Sequence, residues 1–342
     1  MLDTISMADG TQVKTLDELR EHFDLVSVLE HYTSGKLLEW LESQGEQVLA
    51  QEIASLNPLM EHLEAPLCSI LQLPFSPEEA VAAYEARAEQ GSVEACYRLG
   101  CCYLTGYGLP SYVRTKTNMR HKKNRKRGAE LTEQAAMRGH AAAQYRLAEC
   151  YRKGIGRNVD MAGYAKWMRK AAEHGCVQAQ YKMGRFYSCK KMGKDENGIK
   201  IDKEETARWY LRAAAQGHQE AQLEIGYCFF NGEGVAQNYD EAIKWFRQAA
   251  EQGSPYAICQ LSICHFAGCG VEKDEQTARK LFRSAVEKWG DGVHFTWTDC
   301  YHRSLYGLKE ETKNLEELFF HPIIIDRGIV SYEEISAKIE LY

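Results

Sequence analysis

The 342-residue sequence predicts an all-α protein, a solenoid of tandem helix–turn–helix repeats with helical caps at both ends. Three observations carry that reading. The phrase Ala-Ala, two residues, Gly returns at 135–139, 171–175, 213–217 and 249–253, in steps of 36, 42 and 36 residues. A fixed period of this length marks stacked supersecondary units. Inside each period, apolar residues recur at helical spacing. Only seven prolines occur, while Ala, Glu, Gln and Lys, all good helix formers, abound.

In chain order, residues 1–66 form an acidic module with thirteen Asp/Glu against three Lys/Arg. Its residues 14–55 read as two or three short helices, TLDELREHFDLVSVLEHY, GKLLEWLESQG and EQVLAQEIASL. Thr15 with Glu18 makes a capping box at the first of them. Leu37, Leu38, Trp40 and Leu41 are dense for so short a helix, which suits a cap over the first repeat.

The solenoid is expected over 67–290, with a partial repeat at 76–91 and full repeats at 92–139, 140–175, 176–217, 218–253 and 254–290. Each first helix carries an i, i+4, i+8 stripe: Ala95/Leu99/Tyr103, Ala143/Leu147/Tyr151, Ala179/Met183/Tyr187, Ala221/Ile225/Phe229 and Ala257/Leu261/His265. Such a stripe is one buried helix face. Beside it stands a small residue (Gly100, Ala148, Gly184, Gly226, Ser262) that lets two helix backbones approach. A Gly-x-Gly stop follows in four repeats, as in Gly232-Glu-Gly234. The second helix comes next, for instance YDEAIKWFRQAAEQG at 239–253. No unit buries both helices alone, so stacking must supply the core. The tail, 291–342, leaves the period, and its Phe319, Phe320 and Ile323–Ile325 suit a plug over the far end.

The pattern A-x-x-x-L-G-x-x-Y-x-x-G-x-G-V, then A-x-x-W and A-A-x-x-G, resembles Sel1-like repeats, relatives of tetratricopeptide repeats. Block 218–253 carries it nearly throughout, in Ala221, Ile225, Gly226, Phe229, Gly232, Gly234, Val235, Ala242, Trp245, Ala249, Ala250 and Gly253. The resemblance covers roughly 76–290, and the acidic head is similar to a small module that precedes some bacterial Sel1-like proteins. It implies a right-handed superhelix with the first helices on the concave side. It also implies adaptor work in signalling, secretion or host contact.

A second stripe on the first helices lies off the expected buried face and, by that analogy, lines the groove. Its expected partner-binding residues are Tyr97, Tyr145, Glu149, Arg152, Tyr181, Arg185, Tyr227, Phe230 and Phe266. Aromatics interspersed with charge suit a peptide or helix of another protein. The alternative is that the tyrosines pack between repeats and support the solenoid.

The insertion RTKTNMRHKKNRKR holds Arg114, Lys116, Arg120, Lys122, Lys123, Arg125, Lys126 and Arg127 with no acid. It is expected to protrude as a solvated loop, or to dock on the acidic head. An anion-binding arm for nucleic acid is the lesser expectation; without interleaved aromatics it would be blind to sequence.

Candidate chemistry is thin. No two of the twelve cysteines are eight apart and no C-x-x-C occurs, so neither a disulfide ladder like that of secreted cysteine-rich relatives nor a zinc site is indicated. His140, His174 and His218 sit at repeat junctions, where turn polarity explains them. Ser188 to Lys191 satisfies S-x-x-K, but no S-D-N or K-T-G triplet accompanies it. Residues 193–205 resemble a calcium loop through Asp195, Asn197, Gly198, Asp202 and Glu205, yet Gly193 stands where the first ligand belongs. No cofactor or metal is expected. The chain begins Met1-Leu2-Asp3 without a basic start, and no apolar run reaches membrane-spanning length, so a cytoplasmic protein with reduced thiols is expected. The functional expectation is a non-enzymatic protein–protein scaffold. The alternatives are a cell-wall-associated or beta-lactam-binding activity, and a nucleic-acid adaptor using the basic insertion.

Overall fold

The computed structural model describes residues 4–57, 59–60, 62–109, 119–188 and 202–289. The chain forms two compact units, Met1–Cys176 and Val177–Tyr342. Sixteen helices account for most of the described residues.

The first unit opens with an element that the all-α reading lacked. Strands β1 (Ile5–Ser6) and β2 (Gln12–Val13) pair antiparallel, with Ile5 opposite Val13. Ile5, Met7 and Val13 turn inward and Ser6 and Gln12 outward, the alternation of a half-buried strand. The turn is set by Asp9, whose carboxylate accepts from the Thr11 N–H at 2.9 Å, and by Gly10 at φ +88°.

Helices α1 (Leu16–Glu21), α2 (Leu25–Thr33), α3 (Lys36–Ser43), α4 (Gln47–Ala54) and α5 (Glu64–Leu71) follow. Thr15 Oγ1 accepts from the Glu18 N–H at 3.2 Å, while the Glu18 carboxylate reaches one residue further back and accepts from the Lys14 N–H at 2.7 Å. The first predicted helix is divided because Asp24 caps a new one, accepting from the Ser27 N–H at 2.9 Å. Leu37, Trp40 and Leu41 are buried and Leu38 half-buried. Helix α2 rests on α6 (Pro77–Glu89) and α7 (Val93–Thr105), so the acidic module covers the start of the repeats.

In this unit α7 pairs with α8 (Met119–Met137), and α9 (Ala141–Lys153) with α10 (Met161–Glu173). The second unit holds the pairs α11 (Val177–Ser188) with α12 (Lys203–Ala215), α13 (Gln219–Asn231) with α14 (Tyr239–Glu251), and α15 (Pro255–Ala267) with α16 (Glu275–Trp289). Within each unit, neighbouring helices pack in a row.

Gly100, Gly184, Gly226 and Ser262 each face the partner helix of their own pair. A Cβ at Gly226 would collide with the Phe246 ring, and one at Gly184 with the Tyr210 ring. The second glycine of the Gly-x-Gly stop docks on the preceding pair. Gly156 sits against the Arg125 carbonyl at φ +71°, and Gly234 against the Lys203 carbonyl at φ +74°. A side chain at either place would meet both a collision and a disfavoured backbone. One core cluster of the second unit joins Tyr227, Phe230, Ala242, Ile243, Phe246, Leu261, Cys264 and Cys269, drawing on both adjoining repeats. The expected plug, Phe319, Phe320 and Ile323–Ile325, lies outside the described residues.

Candidate functional site

The first helices begin on capping side chains, and two of these are unusual. Ser92 caps α7 and Ser254 caps α15, their hydroxyls accepting from the N–H three residues on. Histidines do this work for α9 and α13. His140 Nδ1 accepts from the Ala143 N–H at 3.1 Å, and His218 Nδ1 from the Ala221 N–H at 3.3 Å. A ring whose Nδ1 accepts has Nε2 left to donate.

Nε2 then serves a second partner in the preceding repeat. For His140 it is Glu94 Oε2, at 2.7 Å; for His218 it is Gln178 Oε1, at 3.1 Å. Glu94 and Gln178 are both the second residue of their helices. Each ring also lies on a tyrosine of that preceding helix. Tyr97 meets His140 with centroids 4.7 Å apart, and Tyr181 stacks with His218 at 4.5 Å. A single histidine thus caps its own helix, bonds the previous one and covers its tyrosine.

At the first junction the bond enters a buried ionic network. Arg98 Nε donates to Glu94 Oε1 at 2.7 Å, and both side chains are buried. Burial alone would raise the Glu94 carboxyl. The Arg98 charge and the hydrogen bond from His140 outweigh it and hold the group down at about 2. Arg98 also donates to the Met60 carbonyl at 3.2 Å, which carries the network into the acidic module. Glu64 of α5 lies in the same region with its acidity weakened by burial.

The predicted groove residues divide into two sets. Tyr97, Tyr227, Phe230 and Phe266 are buried, at 2%, 6%, 0% and 5% exposure, so they offer no ring face to a partner. The expectation that their stripe lies off the packed surface fails there. Phe230 meets Tyr239 edge-on at 5.1 Å, and Tyr227 meets Phe246 edge-on at 5.5 Å. The cause is that a first helix is clasped on more than one side. In α7, ten of thirteen residues are buried, which leaves no room for a second, open stripe. Helix α9 buries six of thirteen. There Tyr145 is half-exposed and Arg152 exposed, while the largely buried Glu149 accepts from Arg152 Nη2 at 2.6 Å and lies 3.5 Å from Lys153 Nζ. In α11, Tyr181 is half-exposed and Arg185 exposed.

The basic run is corrected in a different way. Residues 119–127 are not a loop but the first turns of α8, and Lys122, Lys123, Arg125, Lys126 and Arg127 are all exposed. Arg114 and Lys116 lie outside the described residues, as does the side chain of Arg120. Among the described residues no ion pair joins the run to the acidic module; Arg127 lies 4.0 Å from Glu130, on its own helix.

The ten described cysteines are buried thiols, and burial pushes Cys68 up to about 12 and Cys150 up to about 11. Of the calcium-like stretch only Asp202 to Glu205 is described, and Asp202 is the cap of α12. Ser188 donates to the Arg185 carbonyl at 3.0 Å, while Lys191 lies outside the described residues. Among the described residues no three His, Cys, Asp or Glu converge as metal ligands, and no helix is long and apolar enough to cross a membrane.

The histidine junctions were partly legible. Histidines following glycine at 140 and 218, and tyrosines at 97 and 181, stand in the sequence at repeat spacing. What the period does not reveal is that each histidine lies on the tyrosine of the repeat before it.

Comparison with known proteins agrees with this architecture. The family profile described as Sel1 repeat matches residues 93–114, 119–140, 141–176, 177–218, 219–254 and 255–288. Chitin synthase regulatory factor 3 of Schizosaccharomyces pombe is 28% identical over 189 residues, 46% of this chain and 20% of that protein. The chain thus spans about a fifth of that relative's length. A protective antigen of uropathogenic Escherichia coli with an SLR fold is 24% identical, covering 80% of this chain and 56% of its own, with a TM-score of 0.53. A Sel1 repeat protein from Oxalobacter formigenes is 27% identical over 76% of this chain and 96% of its own, with a TM-score of 0.46.

Proposed function

The chain belongs to the Sel1 repeat family, whose members are typically protein-interaction scaffolds, and we propose that it is a non-enzymatic adaptor holding a peptide or helix of another protein. The contact is centred on the open part of α9. The observation that carries this reading is the contrast between α9 and its counterparts. Tyr97 in α7 is covered by the histidine of the next repeat, whereas Tyr145 in α9 keeps part of its ring exposed beside the Glu149–Arg152 pair. A tyrosine next to an arginine whose orientation is already fixed suits a partner with an apolar side chain flanked by a carboxylate or carbonyl. Tyr181, the counterpart in α11, is half-exposed but lies against the His218 ring, so the proposed contact is confined to α9.

The test uses the full chain as bait in lysate of the native cell, with Tyr145→Ala and Arg152→Glu introduced together. Capture of the partner that wild type retains should be lost, with the helical circular dichroism and melting curve unchanged. Capture that survives in a folded variant overturns the reading. Tyr97→Ala serves as the contrast: it should lower stability before it affects capture.

A further inference from the structure

The amino-terminal turns of α8 carry a concentration of charge that nothing in the repeat architecture requires. Lys122, Lys123, Arg125, Lys126 and Arg127 are exposed, and among the described residues one ion pair involves them, Arg127 with Glu130 at 4.0 Å. At 100° per residue, Lys122, Lys126, Lys123 and Arg127 occupy one arc, turned away from the buried Gly128, Leu131 and Thr132. They span about 8 Å of helix axis, taking about 1.5 Å per residue.

This placement costs the folded chain stability. Lys122 with Lys126, and Lys123 with Arg127, are like-charge pairs four residues apart, each unfavourable by about 0.2–0.5 kcal/mol. A solvated helix gains nothing from this arrangement. A polyanion lying along it would remove every one of these penalties.

Charge density selects the polyanion. Four cations in that length approach the spacing of duplex nucleic acid, about one phosphate charge per 1.7 Å. Residues 122–127 contain no apolar or aromatic side chain, so the face can neither insert into a bilayer nor stack on a base. We propose that the exposed arc of α8 is a second binding surface, which takes the phosphodiester backbone of duplex nucleic acid without reading its sequence. It is separate from the α9 contact and does not depend on it. The chain is acidic overall, with a net charge of −6, and its head more acidic still, which keeps such binding local to α8 and weak at high salt.

A labelled DNA duplex of about 20 base pairs, titrated with the full chain from about 50 to 200 mM salt, tests this. The expected slope of log K against log salt is about −3 to −4, as for four neutralised phosphates. Replacing Lys122, Lys123, Lys126 and Arg127 by Gln should weaken binding at least about tenfold at low salt and remove most of the slope. The pair Lys122→Gln with Lys126→Gln, which disturbs the chain least, should lower the slope by about two. No binding at about 50 mM salt, or equal binding by a folded variant, overturns the proposal. Displacement of the duplex by polyglutamate of equal charge also overturns it, because an acidic protein segment would then be the better ligand.

Discussion

The two histidine junctions share one geometry and differ in one atom pair. His140 and His218 both cap a first helix, reach back to its predecessor and lie on a tyrosine. The first reaches a carboxylate, Glu94, and the second an amide, Gln178. With the carboxylate comes a fully buried guanidinium, Arg98, tied onward to the acidic module; the second junction has Lys182, half-buried, at the corresponding place. A repeat can therefore keep one mechanical joint while changing its electrostatics. Where the solenoid meets its cap, the joint holds a buried ion pair; inside the array it holds an amide, with only the exposed Glu220 carboxylate near the ring, 3.2 Å from His218 Nδ1.

The largest expected effect comes from making the first junction resemble the second. Glu94→Gln leaves Arg98 buried without its counter-charge, which costs about 3–5 kcal/mol when one partner of a buried pair is lost. Urea unfolding of the first unit should show it, and a loss below about 1 kcal/mol would mean that the pair is not the joint described. Glu94→Leu combined with Glu64→Gln and Arg98→Met should recover most of that loss, since the buried charges are then removed together.

Removing either histidine ring should cost less. His140→Ala and His218→Ala each lose a helix cap worth about 1 kcal/mol and an aromatic contact of about 0.5–1.5 kcal/mol. Equal losses at the two sites would show that the shared geometry carries the energy. A distinctly larger loss at His140 would assign the excess to its ionic partner.

The two junctions should also separate on acidification. Burial lowers the pKa of His218, opposed by the nearby Glu220 carboxylate, with Gln178 and Tyr181 as its other neighbours. A base whose folded pKa is depressed contributes stability that is complete above its unfolded value, about 6.5. That contribution is lost as the pH falls through the folded value. Protonation at Nδ1 also removes the acceptor that caps α13. Glu94, held at about 2, contributes stability above the ordinary carboxylate range and loses it as the pH falls through about 2. Hydrogen exchange resolved by segment should therefore show α13, capped by His218, opening at a higher pH than α7, which holds Glu94. The reverse order would contradict the comparison.

The smallest effect is the most selective. Gln178→Glu should raise the His218 pKa toward or above its ordinary value, with a stability change below about 1 kcal/mol near neutrality, since Lys182 lies one turn on. The shift of the His218 ring signal with pH would report it. An unmoved titration would mean that the contact across the repeats is too long to matter.

From the residues alone one obtains the period, the helix pairs and the positions where small residues and turn glycines must stand. These follow from local terms: helical spacing of apolar residues, cap preference and the backbone freedom of glycine, each readable within about a dozen positions. The candidate site was legible only in part. Tyr145, Arg152, Tyr181 and Arg185 keep the exposure expected of them, whereas Tyr97, Tyr227, Phe230 and Phe266, in the same stripe, do not. Tertiary packing decided that division, because a stripe belongs to one helix while its burial depends on the residues its neighbours bring to it. His140 closes over Tyr97, and Phe246 and Tyr239 close over Tyr227 and Phe230. The same holds for the basic run, which composition alone reads as a loop. The buried Gly128, Ala129, Leu131 and Thr132 on the same helix pack it against its repeat and carry the cations into regular structure.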